Sequence, residues 1–340
     1  MISKPWGLCV SQKIVRCHHI TNHTSQRICQ IIWRLLFAGF NPLDQDIRHN
    51  TNPYGNTVIY VFCGKEVPIM TDSSMPANKE AVGSEIPQYG LGTIIFMFLW
   101  PALWFTFLIY IVGRLFSYSD GTTPTWVMLA IIVLGTGAEL AAGLVLLRCE
   151  GYPLRLSALR DRIRWQWPKG RKGWLLAIVV FIIGMALSMA MGPVNRALAT
   201  VPGFIPPSWW PAASNPTVEI SGASDVFPDI RLQGNFLFIL LYFIIGLVFN
   251  IFGEELYYRG LLLPRMHGVF GRWDWVANGV LFTLKHVYQR WLYPAVLIGG
   301  LSFAFAAGPL GSLPLAMVYH WVGNFLFNLI FLFLAALGTG

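Results

Sequence analysis

Two adjacent carboxylates, Glu254 and Glu255, follow twenty uncharged and mostly apolar residues at positions 234–253. An acid at the centre of a membrane helix costs about 2.5–3.5 kcal/mol, so it needs a partner or a water-filled cavity. Arg259 lies four residues after Glu255, and side chains at this spacing meet on one helix face. The spacing therefore predicts an ion pair for Glu255. Glu254 has no such partner in the motif, and we interpret it as a carboxylate available for chemistry inside a membrane protein.

His286 and His320 lie in two further apolar segments, each with a neighbour four residues away: Phe282 before His286, and Asn324 after His320. A single histidine in a span is more often a satisfied polar group than a catalyst. Two such histidines after a glutamate pair favour a catalytic site. At 1.5 Å per residue, His320 and His286 should lie roughly 10 and 17 Å into their helices. One cavity in the cytoplasmic half of the membrane could therefore collect both histidines, Asn324 and Glu254.

These residue types suit hydrolysis of an amide or ester by activated water. A glutamate can take a proton from water, and a histidine can orient that water or bind a metal. A second histidine and an amide can stabilise an oxyanion. Two histidines and a glutamate could also hold zinc, and the residues alone leave open whether a metal is needed. Ser302 and Cys149 have no base arranged nearby in the sequence, so a serine or cysteine nucleophile is not favoured.

The composition predicts an all-α, polytopic helical membrane protein with about seven transmembrane helices. The chain is 55% hydrophobic and 12% charged, with a mean hydropathy of +0.55, which is typical of membrane proteins. The segment with Lys285 and His286 is the least apolar of the seven. The predicted spans are residues 91–112, 126–147, 173–191, 234–253, 275–289, 291–309 and 313–337.

The distribution of basic residues predicts the orientation. Residues 148–172 hold eight of the 24 lysines and arginines, and such loops stay in the cytoplasm. The N-terminus is then cytoplasmic, residues 193–233 form an external loop, and Glu254 lies at the cytoplasmic end of its helix. We interpret the net charge of +8 as an orientation signal beside anionic membrane lipids, not as a sign of nucleic-acid binding. We expect a multi-pass protein of the plasma (inner) membrane.

Three regions follow from this pattern. Residues 1–90 form a cytoplasmic N-terminal segment that we expect to be poorly ordered, and residues 1–75 should be dispensable. The segment holds four of the five cysteines and four of the seven histidines, but their spacing matches no strong zinc pattern. Residues 91–233 supply the first transmembrane helices, and residues 234–338 form the catalytic core. Glu139 lies among small residues, and we interpret it as a hydrogen-bonded acid at a tight helix crossing, with a functional role left open.

The motifs Glu254-Glu255-x-x-x-Arg259, Phe282-x-x-x-His286 and His320-x-x-x-Asn324 resemble, in this order, those of the CPBP family. These are the CAAX-protease and bacteriocin-processing proteins, also called the Abi or type II CAAX prenyl endopeptidase family. The resemblance covers roughly residues 235–330. Each motif alone is weak, but three in order, each on or beside a predicted span, are strong together.

The resemblance implies a helical membrane fold with a conical cavity open to the cytoplasm. It implies that Glu254 is the general base, that His286, His320 and Asn324 hold the water and the oxyanion, and that Arg259 fixes Glu255. Lys285 departs from the family pattern, which usually has a small or apolar residue there.

We therefore expect an intramembrane endopeptidase that cuts a peptide or protein substrate, which could be lipidated or membrane-associated, near the cytoplasmic face. The metal requirement stays open, with zinc as the candidate. The alternative is a non-catalytic membrane scaffold, or a bacteriocin self-immunity protein of the same fold. A proton-coupled transporter that uses Glu139 and Glu254 is less favoured, because the sequence shows no paired broken helices.

Overall fold

The computed structural model describes residues 47–51, 57–61, 86, 88–119 and 122–338. The chain divides into two compact units, residues 1–84 with 148–152, and residues 85–147 with 153–340. The cysteine- and histidine-rich stretch from Cys17 to Cys29 lies outside the described residues, and so does most of the segment for which we expect poor order.

A β-hairpin in the first unit was not predicted. Strands β1 (Ile47–Thr51) and β2 (Thr57–Val61) pair antiparallel, with Ile47 opposite Val61 and Thr51 opposite Thr57. β2 reads Thr-Val-Ile-Tyr-Val, which are the β-branched and aromatic residues that strands favour. The membrane prediction considered only apolar runs long enough to cross a bilayer, so it missed these two short strands.

The second unit is helical, which confirms the predicted fold class. Among the residues that the structure describes, six helices are long and apolar enough to cross a membrane. Together with one shorter helix, Asp274–Lys285, they are labelled α1 to α7 in chain order, and the shorter helix is α5. The six are α1 (Leu91–Leu115), α2 (Thr125–Cys149), α3 (Gly170–Ala190), α4 (Phe236–Arg265), α6 (Val287–Ala307) and α7 (Leu313–Ala336). Shorter helical segments are Leu156–Leu159, Gly192–Leu198, Ala212–Ser214, Ala223–Val226 and Gly271–Trp273.

The seventh predicted span corresponds to α5, which is too short to cross a bilayer alone. Its 12 residues extend about 18 Å at 1.5 Å per residue, against an apolar core of about 30 Å. A 3₁₀ segment, Val287–Leu292, then forms the first part of α6 before the α-helical part Tyr293–Ala307. His286 is consequently the residue at which α5 ends, not a residue inside a span.

Helix α4 is longer than the hydropathy pattern predicted. It continues past Gly253 to Arg265 through two segments of wider π-helical turn, Gly246–Gly253 and Leu256–Leu262. Glu254 therefore lies eleven residues before the end of the helix, or roughly 17 Å, and the prediction that it marks the helix end is wrong. The hydropathy pattern stopped at the first acid, whereas the fold buries the acids with partners and continues the helix.

Close helix contacts hold the elements around α4 in place. Helices α5 and α6 meet at two glycines, since a Cβ on Gly279 would lie 3.1 Å from the carbonyl oxygen of Gly300. Helix α2 approaches α1 at Gly135, where a Cβ would lie 2.3 Å from the Phe105 ring. Only glycine allows approaches this close, and they bring the polar residues of neighbouring helices within reach of each other.

The basic loop between α2 and α3 is also anchored to the helix ends. Arg162 donates to the carbonyl of Gly260 at 2.9 Å, and Arg164 donates to the carbonyl of Ala307 at 2.9 Å. The terminal carbonyls of a helix lack intrahelical partners, so Arg164 satisfies one at the end of α6. At least two of the eight basic residues in this loop therefore have a structural role besides setting orientation.

Candidate active site

One row of polar side chains runs through the interior of the helical unit, from α2 across α4 and α5 to α7. We call it the buried polar row. Every member is almost fully withdrawn from the surface, with at most 2% of the residue exposed. Its members, in spatial order, are Arg259, Glu255, His320, Glu254, Lys285, Glu139 and Tyr258.

The predicted pair of Glu255 and Arg259 forms the first part of the row. Arg259 Nη1 lies 3.1 Å from Glu255 Oε1, and neither side chain is exposed. Arg259 Nη2 also donates to the carbonyl of Gly300 at 3.3 Å. The guanidinium carbon lies 3.9 Å from the centroid of the Phe282 ring, where a cation is attracted by the ring face. Arg259 thus neutralises Glu255 and links α4 to α5 and α6.

Glu255 in turn orients His320. The Nδ1 atom of His320 lies 2.9 Å from Glu255 Oε1. An ionised carboxylate only accepts hydrogen bonds, so Nδ1 carries the hydrogen and the neutral ring keeps its lone pair on Nε2. The ring of Phe303 stacks on the imidazole, with centroids 4.6 Å apart and planes 21° apart. His320 is thereby held with Nε2 directed at Glu254, whose Oε2 lies 3.9 Å away.

The two oxygens of Glu254 have different environments. Oε1 accepts a hydrogen bond from Lys285 Nζ at 2.7 Å, and Oε2 is the oxygen that lies near His320 Nε2. One water that donates a hydrogen bond of about 2.8 Å to each atom would hold the two atoms about 4.4 Å apart if both bonds were linear, and closer together if the bonds bend. The 3.9 Å separation of Oε2 and Nε2 is therefore compatible with two acceptors that share one water through bent hydrogen bonds.

Lys285 and Glu139 complete the row, and sequence reasoning missed their connection. Lys285 Nζ lies 3.1 Å from Glu139 Oε1, and both side chains are fully buried. Tyr258 donates its hydroxyl hydrogen to the same Glu139 oxygen at 2.7 Å. Glu139 is hydrogen-bonded near a tight helix crossing, but its partner belongs to the candidate site. Two opposite charges in separate apolar segments were the available signal, because burial favours their pairing.

His286 lies beside the row without a direct bond to it. Its Nδ1 lies 2.7 Å from the carbonyl oxygen of Phe282, which can only accept, so Nδ1 carries the hydrogen. The Phe282 ring is 4.7 Å from the His286 ring and 6.5 Å from the His320 ring. Among the described residues, His286 makes no hydrogen bond to Glu254 or His320. The structure thus places the two histidines around one phenyl ring.

Asn324 is not brought into the row. It is exposed and lies in a π-helical turn, Val322–Leu326. Its main-chain oxygen accepts a hydrogen bond from Asn328, but its side chain has no hydrogen bond to any residue that the structure describes. A π turn adds a residue to the helix repeat, so the expected alignment of Asn324 above His320 is shifted. Its catalytic role stays a prediction.

Two cavities in the helical unit lie away from Glu254. The first, of about 430 Å³, is bordered by the basic loop and includes Arg160 and Pro314 in its lining. The second, of about 530 Å³, is an apolar groove between α4 and α7 with Phe236 and Trp321 in its lining. Neither is lined by a member of the buried polar row.

The side chains do not fit a zinc site with three protein ligands. No group of three or more histidine, cysteine, aspartate or glutamate residues within the described part of the chain is arranged to hold a metal ion. Lys285 engages Glu254 Oε1, and the Nδ1 atoms of His286 and His320 are engaged by Phe282 and Glu255. Glu254 Oε2 and the two Nε2 atoms are left, and these three atoms do not form a group that could hold a metal ion. The mechanism proposed below therefore uses no metal.

The fold and the row define a polytopic helical membrane protein with a buried glutamate–histidine site. Residues 236–326 match the family model described as Type II CAAX prenyl endopeptidase Rce1-like. This stretch contains all three motifs, from Glu254 to Asn324, and the match confirms the resemblance to the CPBP family. It supports a CAAX-type intramembrane protease function. No curated protein and no solved structure matches the chain.

Proposed function

We propose that this protein is an intramembrane endopeptidase in which Glu254 and His320 activate a water molecule that attacks a peptide bond. The observation that carries the proposal is the facing pair of acceptors, Glu254 Oε2 and His320 Nε2, 3.9 Å apart. The family match over residues 236–326 independently favours peptide hydrolysis.

The proposed reaction begins with a water that donates one hydrogen to Glu254 Oε2 and the other to His320 Nε2. Its oxygen lone pair attacks the carbonyl carbon of the substrate, and Glu254 takes the proton as the O–C bond forms. The tetrahedral intermediate then collapses. The C–N bond breaks, and protonated Glu254 returns its proton to the leaving amine. The atoms balance with one water consumed per bond, and no covalent enzyme intermediate is required.

The oxyanion of that intermediate needs a hydrogen-bond donor. A neutral His286 does not supply one, because its single N–H is directed at the carbonyl of Phe282. We propose Asn324 as the donor, since its side-chain amide makes no hydrogen bond within the described residues and it lies on the same helix as His320, α7. Because Asn324 is exposed and not part of the row, this role requires its side chain to move towards the site when substrate binds. His286 then shapes the site through its contact with Phe282.

The proposed substrate is a peptide or protein that is held at the membrane, with a lipidated C-terminal tail as the first choice. The description of the matching family names a prenyl endopeptidase, and Glu254 lies within a 30-residue membrane helix. A substrate with a lipid anchor would reach this depth more readily than a soluble peptide. By the positive-inside rule, we place the cleavage on the cytoplasmic side of a plasma membrane. We expect no nucleic-acid partner.

A non-catalytic scaffold is the second candidate, and one observation favours it. Glu254 is only 2% exposed, and neither described cavity is lined by it. A protease with this structure needs a movement that admits substrate, whereas a scaffold needs none.

The test is cleavage of fluorogenic peptides by the purified protein in liposomes. Two peptides of identical sequence would be compared, one with a prenylated cysteine near the C-terminus and one without. We expect cleavage of the prenylated peptide by the wild type and none by Glu254→Ala. The matched control Glu219→Ala changes an exposed acid and should keep wild-type activity. If a correctly folded wild type cleaves neither peptide, nor other membrane-anchored peptides, the scaffold function is favoured.

A further inference from the structure

We propose that Lys285 is a positioning residue for Glu254, and that Glu139 on α2 holds Lys285 in place. The ion-pair network of Glu254, Lys285 and Glu139 is a matter of geometry alone, whereas its effect on kcat rests on the proposed hydrolytic function.

Lys285 is fully buried, and two carboxylates and three aromatic rings surround its ammonium group. Its side chain has no exposed surface, although a lysine in a membrane helix normally extends towards the surface. Nζ donates to Glu254 Oε1 at 2.7 Å and to Glu139 Oε1 at 3.1 Å. The rings of Phe105, Tyr258 and Phe282 lie about 5 Å from Nζ, at 5.1, 4.9 and 5.1 Å. Carboxylates and ring faces together account for the surroundings of the cation.

This arrangement determines which oxygen of Glu254 is available for chemistry. Lys285 engages Oε1, so Oε2 remains the oxygen that lies 3.9 Å from His320 Nε2. The last torsion of a glutamate side chain has a broad and roughly two-fold preference, so the carboxylate would rotate readily without this bond. Lys285 also places a positive charge 2.7 Å from the Glu254 carboxylate in an apolar interior, where a buried charge needs a partner. Both effects favour a carboxylate ready to accept a proton from water.

Glu139 controls the position of Lys285 from a different helix. Its Oε1 accepts from both Lys285 Nζ and the hydroxyl of Tyr258, so its own direction is fixed by α4. The backbone of α2 comes close enough because Gly143 packs on Tyr257, with its Cβ position 3.7 Å from that ring. The row thereby connects α2, α5 and α4 through one ammonium group.

A purely structural ion pair is the competing explanation. It would make Lys285 important for folding and leave the turnover of folded protein unchanged. The test must therefore separate the rate per folded molecule from the amount of folded protein, and it must separate kcat from KM.

The experiment measures kcat, KM and thermal stability in liposomes for Lys285→Met, Glu139→Gln and the double variant. Methionine keeps most of the length of lysine without the charge. A hydrogen bond to a charged group is worth a factor of about ten to one hundred, so we expect folded Lys285→Met to lose about that much kcat with KM within about twofold. Glu139→Gln keeps an oxygen acceptor and should lose less than about tenfold. The control Lys172→Met alters an exposed lysine and should match the wild type.

Wild-type kcat in folded Lys285→Met would overturn the positioning role. If Lys285→Met does not fold, the double variant with Glu139→Gln removes one of the two acids left facing each other, and its kcat decides the question in the same way. If the wild type cleaves no peptide, the proposed function fails, but the ion-pair network of Glu254, Lys285 and Glu139 can still be tested by thermal stability. The double variant should then be more stable than Lys285→Met alone, and additive effects of the two changes would overturn the network.

Discussion

Replacing Arg259 by alanine should destabilise the protein more than replacing any exposed arginine. Arg259 is fully buried and bonds to Glu255 and to the carbonyl of Gly300. Its removal leaves the Glu255 carboxylate without its cation in the membrane interior and takes away the group that packs on the face of Phe282.

Breaking one partner of a buried ion pair costs about 3–5 kcal/mol. His320 continues to donate to Glu255 Oε1, so the cost should be near the lower end of this range. For a domain of 150–250 residues, each kcal/mol lowers the melting temperature by about 2–4 °C. We therefore expect Arg259→Ala to melt roughly 6–12 °C below the wild type.

The assay is thermal unfolding of purified protein in detergent, with Arg160→Ala as the matched control. Arg160 is exposed, and its replacement should change the unfolding free energy by no more than about 0.5 kcal/mol. A third variant, Glu255→Gln with Arg259→Met, removes both charges and should recover part of the loss. If Arg259→Ala melts at the same temperature as Arg160→Ala, the buried pair does not stabilise the fold in the way described.

Three further predictions concern the fold and the edge of the site. Gly135→Ala places a methyl group against the Phe105 ring and should lower the unfolding free energy by about 1–3 kcal/mol. The control Gly192→Ala, whose methyl group meets nothing within 4 Å, should be nearly neutral in the same melting assay. Equal effects of the two changes would contradict the tight crossing of α1 and α2. Asn324→Ala should leave the melting temperature unchanged, because the side chain is exposed and has no hydrogen bond among the described residues, and a large loss would place Asn324 inside the packed core. A shortened protein that begins at Met70 should insert into membranes and match the full-length protein in a protease-protection assay, and its degradation alongside stable full-length protein would show that the N-terminal segment is required.

Sequence reasoning predicted the elements of the fold that depend on apolar length. The charge-free runs correspond to membrane helices, and the spacing of Glu255 and Arg259 predicted an ion pair that the structure contains at 3.1 Å. Hydropathy did not predict the helix bounds correctly where a buried charge depends on a partner from elsewhere in the chain. It ended α4 at Glu254, although the helix continues to Arg265.

The long-range contacts of the site could not be predicted from spacing. Lys285 and Glu139 are 146 positions apart, so only their opposite charges in two apolar segments, and not their spacing, indicate that they could meet. The i, i+4 spacing of His320 and Asn324 suggested one helix face, but the π turn at Val322–Leu326 changes the local geometry. Such turns depend on packing between helices, which one sequence does not reveal.

The central claim is that the Glu254 carboxylate activates water for peptide hydrolysis, and Glu254→Gln tests it most directly. Glutamine keeps the size of glutamate and can still accept the hydrogen bond from Lys285, but it cannot take a proton from water. The measurement is the single-turnover cleavage rate of a prenylated peptide in liposomes, with Glu219→Gln as the control. We predict a loss of about 10²–10⁴-fold with no loss of melting temperature. A rate for Glu254→Gln near that of the wild type would contradict the mechanism and favour the scaffold function.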